Sequence, residues 1–195
     1  MTVPPALDAR PILEALNRHH VAYVLIGGYA ALQHGATRPT QDIDVTPSTE
    51  LENLGRLAAA LKEMGAGIRV NDIPEGLPFD TSAEALRGTK MLNLRTPHGD
   101  VDLTFDPAGV DGYPDLARSA TPRLVDGVTV QLAALADIIR SKTAAARNKD
   151  LEALPELEAL AASRKSDDPP PTSTPAPARD SHSPSQDGRW AHGPR

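Results

Sequence analysis

An apolar run of six residues, Val21-Ala22-Tyr23-Val24-Leu25-Ile26, stops at Gly27-Gly28, and a short stretch later the chain reads Asp42-Ile43-Asp44-Val45. The first run has the length and composition of a buried strand, and the second alternates acidic and apolar residues with the period of two that a strand imposes. Between them Tyr29-Ala30-Ala31-Leu32-Gln33-His34 is helix-prone and ends at Gly35. So brief a connection keeps the two strands close. Residues two apart on a strand face the same side, so Asp42 and Asp44 project together while Ile43 enters the opposite face.

The rest of the body, roughly residues 4–165, reads as mixed α and β structure. Leu7, Ile12, Leu13 and Leu16 mark an amphipathic helix that ends near His19-His20. Thr49 and Glu52 have capping-box spacing ahead of a stripe of Leu51, Leu54, Leu57, Leu61 and Met64, closed by Gly65. Two period-two segments, 90–95 and 101–105, flank Pro97-His98-Gly99 as a hairpin, and Val125-Asp126-Gly127-Val128 suggests another. A helix is expected over 132–146. A last one carries Leu151, Leu154, Leu157 and Leu160, with Pro155 either kinking it or marking its first turn. The predicted fold class is α+β: a small mixed sheet flanked by helices, with further helices at the C-terminal end.

Residues 166–195 change in character, with seven prolines, seven Ser or Thr residues and Trp190 as the one large apolar side chain. They bury too little surface to offset the entropy of ordering, and a disordered tail is expected after a domain spanning 1–165. The 195 residues carry 26 acidic groups against 20 Lys plus Arg, a net charge of −6, which excludes a generally basic nucleic-acid coat. Without cysteine there are no disulfides, thiolate zinc sites or Cys nucleophile. No basic segment followed by an apolar run opens the chain, and no stretch nears the ~20 apolar residues of a membrane span, so a cytoplasmic protein without membrane contact is expected.

Two carboxylates held side by side repel each other unless protonated, hydrated or paired with a cation, and Mg²⁺ is one simple solution. Asp102, on the second predicted hairpin with Asp100 on its own face, can join them if the strands pair. Three carboxylates around Mg²⁺ suit nucleotide binding and activation of a hydroxyl. Gly27-Gly28 lets the backbone approach a ligand, and the helix that follows offers free N–H groups to phosphate. Between Arg140 and Lys149 lie four cations and no acid, a local anion-attracting patch in an acidic body. Arg38 and Thr40 either orient the acidic strand or meet phosphate.

The segments Val24-Leu25-Ile26-Gly27-Gly28-Tyr29-Ala30 and Gly35-Ala36-Thr37-Arg38-Pro39-Thr40-Gln41-Asp42-Ile43-Asp44-Val45 resemble the nucleotidyltransferase superfamily of DNA polymerase beta type. More narrowly, with Ala136-Asp137-Ile138-Ile139-Arg140-Ser141-Lys142 and Arg147-Asn148-Lys149-Asp150-Leu151, they look like the bacterial AbiEii and MenT toxin group. The resemblance implies Gly27 and Gly28 at the phosphate turn, Asp42 and Asp44 as metal ligands, and Asp102 as third carboxylate and general base. It implies Lys142 and Lys149 at the triphosphate, with Asp150 as a further polar or catalytic contributor. Many members have Ser directly after the first glycine, where this chain has Gly28.

The implied reaction moves a nucleoside monophosphate from an NTP, ATP among them, to a hydroxyl. The toxin resemblance points to RNA, a tRNA 3′ end, as acceptor and to an antitoxin partner. The alternatives are a small-molecule acceptor such as an aminoglycoside, a protein acceptor, or a catalytically silent nucleotide- or partner-binding module.

Overall fold

The computed structural model describes residues 6–71 and 73–167, of which 165–167 by backbone alone. The N-terminal half runs α1 (Ala9–Arg18), β1 (Tyr23–Ile26), α2 (Gly27–Gln33), β2 (Asp42–Pro47), α3 (Leu51–Glu63), β3 (Gly67–Val70), β4 (Ile73–Leu77) and α4 (Ala83–Leu86). It continues through β5 (Met91–Thr96), β6 (Gly99–Thr104), α5 (Gly112–Ala117), β7 (Thr121–Val125), β8 (Val128–Leu132), α6 (Leu135–Ala145) and α7 (Asn148–Asp167). All eight strands form one sheet in the order β4-β3-β5-β6-β2-β1-β8-β7. The pairs β2/β6 and β1/β8 are parallel and the others antiparallel, so the expected α+β class with a mixed sheet is what the chain adopts.

Strand β1 is buried along its whole length, which is why it reads as an uninterrupted apolar run rather than an alternating one. Ile43 and Val45 of β2 and Val101 and Leu103 of β6 are fully enclosed, so the acidic residues between them line the other face. Helices α1 and α3 bring Ile12, Leu13, Leu16, Leu54, Leu57 and Leu61 into the same core. Both predicted hairpins form. The β7–β8 turn uses Asp126 at φ 47° and Gly127 at φ 82°, two consecutive left-handed residues that match the twist of the flanking strands.

Four local expectations are corrected. Thr49 does not cap α3: the N-cap is Glu50, and the third helical residue is Asn53, whose buried amide binds Ala22 N, Ala22 O and Ser48 O and so ties the helix to the end of β1. The helix expected from 132 begins at Leu135, because Leu132 still pairs with Leu25 in the sheet. Pro155 lies inside α7, which sets aside one of its two expected readings, the first turn, and agrees with the other in placing it within the helix. The face of α7 is also rotated from the expected leucine stripe: Leu151 is 48% exposed, while Asp150, Ala153 and Leu157 point inward. Helix α7 continues through Ser166 to Asp167, past the expected domain end, and the remainder of the predicted tail lies outside the described residues. No helix among the described residues is long and apolar enough to cross a membrane.

Candidate active site

One cleft of about 600 Å³ is lined by ten of the residues singled out from the sequence: Gly27, Gly28, Arg38, Thr40, Asp42, Asp44, Asp102, Lys142, Lys149 and Asp150. Its floor is the acidic face of β2 and β6. Parallel pairing sets Asp42 opposite Asp100 and Asp44 opposite Asp102, so four carboxylates share a patch two residues deep on two adjacent strands. Helices α6 and α7, packed on each other with α6 also against α2, supply the opposing wall.

Each carboxylate has a different environment. Asp42 accepts a hydrogen bond from Thr40 Oγ1 at 2.8 Å. Among the described residues Asp44 accepts a hydrogen bond from the Gly28 amide alone, at 3.4 Å, and its carboxyl is pushed up to about 7 by burial and by the charges of Asp42 and Asp102, with Gly28 N–H and Lys149 opposing. Burial also raises Asp102, against the pull of Arg69. Asp100 is different: burial would raise it, but hydrogen bonds from Arg95 and Arg69 outweigh that and hold it below the ordinary carboxylate range.

The glycine turn owes its composition to these neighbours. A β-carbon on Gly27, where φ is +75°, would stand 2.0 Å from Asp44 Oδ2, and one on Gly28 would stand 2.9 Å from Thr40 Oγ1. Thr40 thus fills the space that a side chain at position 28 would need. The Gly28 amide, expected to face phosphate, is directed to Asp44.

The basic segment divides. Arg140 turns away to Asp115 and Asp137, at 2.7 and 3.0 Å. Lys142 Nζ and Arg147 Nε bind the two oxygens of the fully buried Asp150 at 2.9 and 2.5 Å, which holds that carboxyl low despite its burial. Asp150, expected as a polar or catalytic contributor, lines the cleft and binds Lys142 and Arg147. Lys149 is exposed, lines the cleft and acts on Asp44 and Asp102 through its charge. Arg38 pairs with Glu152 at 2.8 Å, and Thr37 binds Glu156, so the loop before β2 is strapped to α7. The four-cation patch predicted from sequence is therefore taken apart by internal carboxylates.

Sequence reasoning missed Arg69. It reaches the cleft from β3, with Nη1 3.1 Å from Asp100 Oδ2 and Nη2 hydrogen-bonded to Asp102 Oδ2 at 3.2 Å. The signal was slight: an Arg in the four-residue strand Gly67-Ile68-Arg69-Val70, with nothing local to give it a partner.

Among the described residues no group of three acidic or imidazole side chains is already gathered tightly enough to cage an ion. The donor set nevertheless fits a hard divalent cation. Asp102 Oδ1 is buried without a hydrogen-bond partner, since Arg69 Nη2 lies 2.9 Å away but out of line, and the side chain of Asp44 receives one long hydrogen bond, from Gly28 N–H.

The family model described as aminoglycoside-2''-adenylyltransferase matches residues 9–90, which contain Gly27, Gly28, Asp42 and Asp44. No curated protein sequence matches the chain. Among solved structures, the lincosamide antibiotic adenylyltransferase LnuA, lincomycin-bound, is 14% identical, covering 80% of this chain and 99% of that one at a TM-score of 0.53. A putative nucleotidyltransferase from Thermotoga maritima is 15% identical over 77% of this chain and 89% of that one, with a TM-score of 0.49. ANT(2'')-Ia in complex with adenylyl-2''-tobramycin is 18% identical over 81% and 95%, with a TM-score of 0.48. The matching family and these neighbours are nucleotidyltransferases, and the AbiEii and MenT toxin group is not among them. The likeness to the lincosamide adenylyltransferase establishes that the chain has the nucleotidyltransferase fold.

Proposed function

We propose that the protein transfers a nucleoside monophosphate, AMP from ATP in the first instance, to a hydroxyl of a small cationic acceptor of the aminoglycoside class. The observation that carries this is the union, in one cleft, of Asp42, Asp44 and Asp102 with Lys149 opposite. The family match over 9–90 supports both the reaction and the acceptor class. The acceptor oxygen forms a bond to the α-phosphorus, the bond from that phosphorus to the bridging oxygen breaks, and pyrophosphate departs. Asp102, raised by its burial, takes the proton of the attacking hydroxyl. Asp42, oriented by Thr40, and Asp44, seated against Gly27, would hold a divalent ion, which would supply charge neutralisation at the phosphates. Lys149 faces the triphosphate, and Lys142 is held in place by Asp150.

Charge decides between acceptors. Arg38, Arg69, Lys142 and Arg147 are all paired with carboxylates of the protein, which leaves Asp42 and Asp44 against Lys149 in the cleft. A polyanionic RNA is held through several unpaired cations, whereas a polyamine sugar gains from such a surface. The tRNA and antitoxin expectations have no support here. The test is incubation of the protein with Mg²⁺, α-labelled NTPs one at a time, and either an aminoglycoside panel or total tRNA, beside Asp42→Asn and Asp44→Asn. Label on the aminoglycoside with the intact protein alone is expected; label on tRNA instead would overturn the acceptor assignment, and label on neither the reaction.

A further inference from the structure

Arg69 is the one cation of the described residues within hydrogen-bonding distance of any of Asp42, Asp44 and Asp102. It comes from β3 and reaches across β5 to β6, a span of two strand spacings, or roughly 9–10 Å, that uses the full length of an arginine. Its far end is shared. Nη1 is held by Asp100, itself fixed by Arg95 Nε at 2.9 Å, so Arg69 keeps an anchor whether or not Asp102 engages it. Asp102 has no need of Arg69 for its own placement, because β6 is hydrogen-bonded on both sides, to β2 and β5. What Arg69 adds is positive charge, 2.9 Å from the one carboxylate oxygen of the cleft that is buried and without a hydrogen bond.

We propose that Arg69 is a built-in counter-cation of the catalytic carboxylates, which disfavours a free divalent ion at the Asp44–Asp102 edge and admits one that arrives with the triphosphate. This inference rests on the reading of Asp42, Asp44 and Asp102 as metal-holding. A guanidinium and a divalent ion on opposite sides of one carboxylate repel each other, and in a partly buried site that repulsion is poorly screened. A nucleoside triphosphate brings several negative charges of its own, so the ion accompanying it meets a more favourable field, and Arg69 stays on Asp100. The arrangement makes metal entry dependent on nucleotide.

The test is Mn²⁺ binding to the full chain without nucleotide, read by the electron paramagnetic resonance signal of free Mn²⁺, in wild type, Arg69→Gln and Arg69→Lys. Arg69→Gln is expected to bind Mn²⁺ at least tenfold tighter than wild type, Arg69→Lys within about threefold of wild type because the charge remains, and the gap to narrow when a non-hydrolysable ATP analogue is added. Unchanged or weaker binding in Arg69→Gln overturns the proposal, as does an equal gain in Arg69→Lys. Asp100→Asn, which leaves Arg69 on Asp102 alone, is expected to weaken Mn²⁺ at least threefold, and it decides the matter if Arg69→Gln does not fold; unchanged or tighter binding there counts against the idea. Adding Asp44→Asn to Arg69→Gln is expected to abolish the gain. Should the gain persist, the ion sits elsewhere: the metal-holding assignment of the carboxylates fails and takes the role of Arg69 with it, whereas unchanged binding in Arg69→Gln alone overturns the role of Arg69 and leaves that assignment standing.

Discussion

Gly27 and Asp44 occupy one another's space: a β-carbon on the glycine would lie 2.0 Å from the Oδ2 of the aspartate and 2.6 Å from its Cβ. The turn after β1 is therefore shaped around one carboxylate of the cleft. Gly27→Ala has to displace Asp44 or move the turn, and the left-handed φ of +75° adds backbone strain of about 1–2 kcal/mol. Nucleotidyl transfer is expected to fall at least 100-fold in this variant, with unfolding in urea shifted by about 2 kcal/mol. Activity within fivefold of wild type would refute the packing relationship.

The same reasoning applies to Gly28 and Thr40. Thr40 Oγ1 both orients Asp42 and fills the room beside Gly28, so Thr40→Val, close in shape, removes the hydroxyl alone. We expect kcat to drop roughly 10-fold in Thr40→Val and to be kept in Thr40→Ser, with melting temperatures within a few degrees of wild type. Gly28→Ser, which would restore a hydroxyl common in the superfamily, is expected to lower activity here because its Cβ meets Thr40 at 2.9 Å.

The parts of the site that were legible in the sequence are those set by local periodicity. Asp42 and Asp44 share a face because strands repeat every two residues, and Asp102 joins them because the β5–β6 hairpin carries its own turn signal. What was illegible depends on tertiary pairing. Strands β3 and β4 have four and five residues, and β4 contains Pro74 and Gly76, so neither shows an alternating pattern, and Arg69 went with them. The segment from Arg140 to Lys149 looks like a free basic patch until the fold supplies Asp115 and turns Asp150 inward. Burial of Asp150 in place of Leu151 contradicts hydrophobic patterning, and it is tolerated because two cations neutralise that carboxylate.

Asp44 is a functional group held against stability. Its folded-state value of about 7 lies above the ordinary 3.8, so the folded protein binds a proton that the unfolded chain has released, and stability declines as pH rises from about 4 through 7. Asp44→Asn removes that charge. In EDTA at pH 8 its melting temperature is expected to exceed the wild type's by several degrees, while turnover is lost. Added Mg²⁺ is expected to raise the wild-type melting temperature and not the variant's. A lower melting temperature for the variant in EDTA would be evidence against burial and repulsion as the dominant influences on Asp44.

Lys142 and Lys149 separate structure from chemistry. Lys142→Met leaves Asp150 buried with Arg147 as its sole partner, and breaking such a pair costs about 3–5 kcal/mol. The double variant Lys142→Met with Asp150→Leu is expected to recover most of that stability in urea unfolding and none of the activity. Lys149→Ala touches an exposed side chain, so its stability is expected to stay within about 0.5 kcal/mol of wild type while KM for the nucleotide rises.

His34 provides a pH signature remote from the carboxylates. Its Nε2 sits 2.8 Å from Ala133 O and its Nδ1 2.9 Å from Arg164 Nη1, so the neutral ring donates from Nε2 and accepts at Nδ1, joining the end of α2 to the residue after β8 and to α7. Protonation at Nδ1 would remove the acceptor and set a second positive charge beside Arg164. Burial first, and then Arg164 and Arg123, lower the ring below its ordinary 6.5, with the Ala133 carbonyl opposing. A histidine lowered in the folded state contributes nothing to pH dependence above about 6.5, where both states are neutral, and weakens the fold as pH falls from there through the depressed folded value. The difference in unfolding free energy between wild type and His34→Gln, whose amide can still donate to Ala133 O, is therefore expected to be constant from pH 7 to 9 and to shift against the wild type below 6.5. A difference that stays flat down to pH 5 would mean that His34 titrates alike in the folded and unfolded chains, and that the Arg164 contact does not constrain the ring.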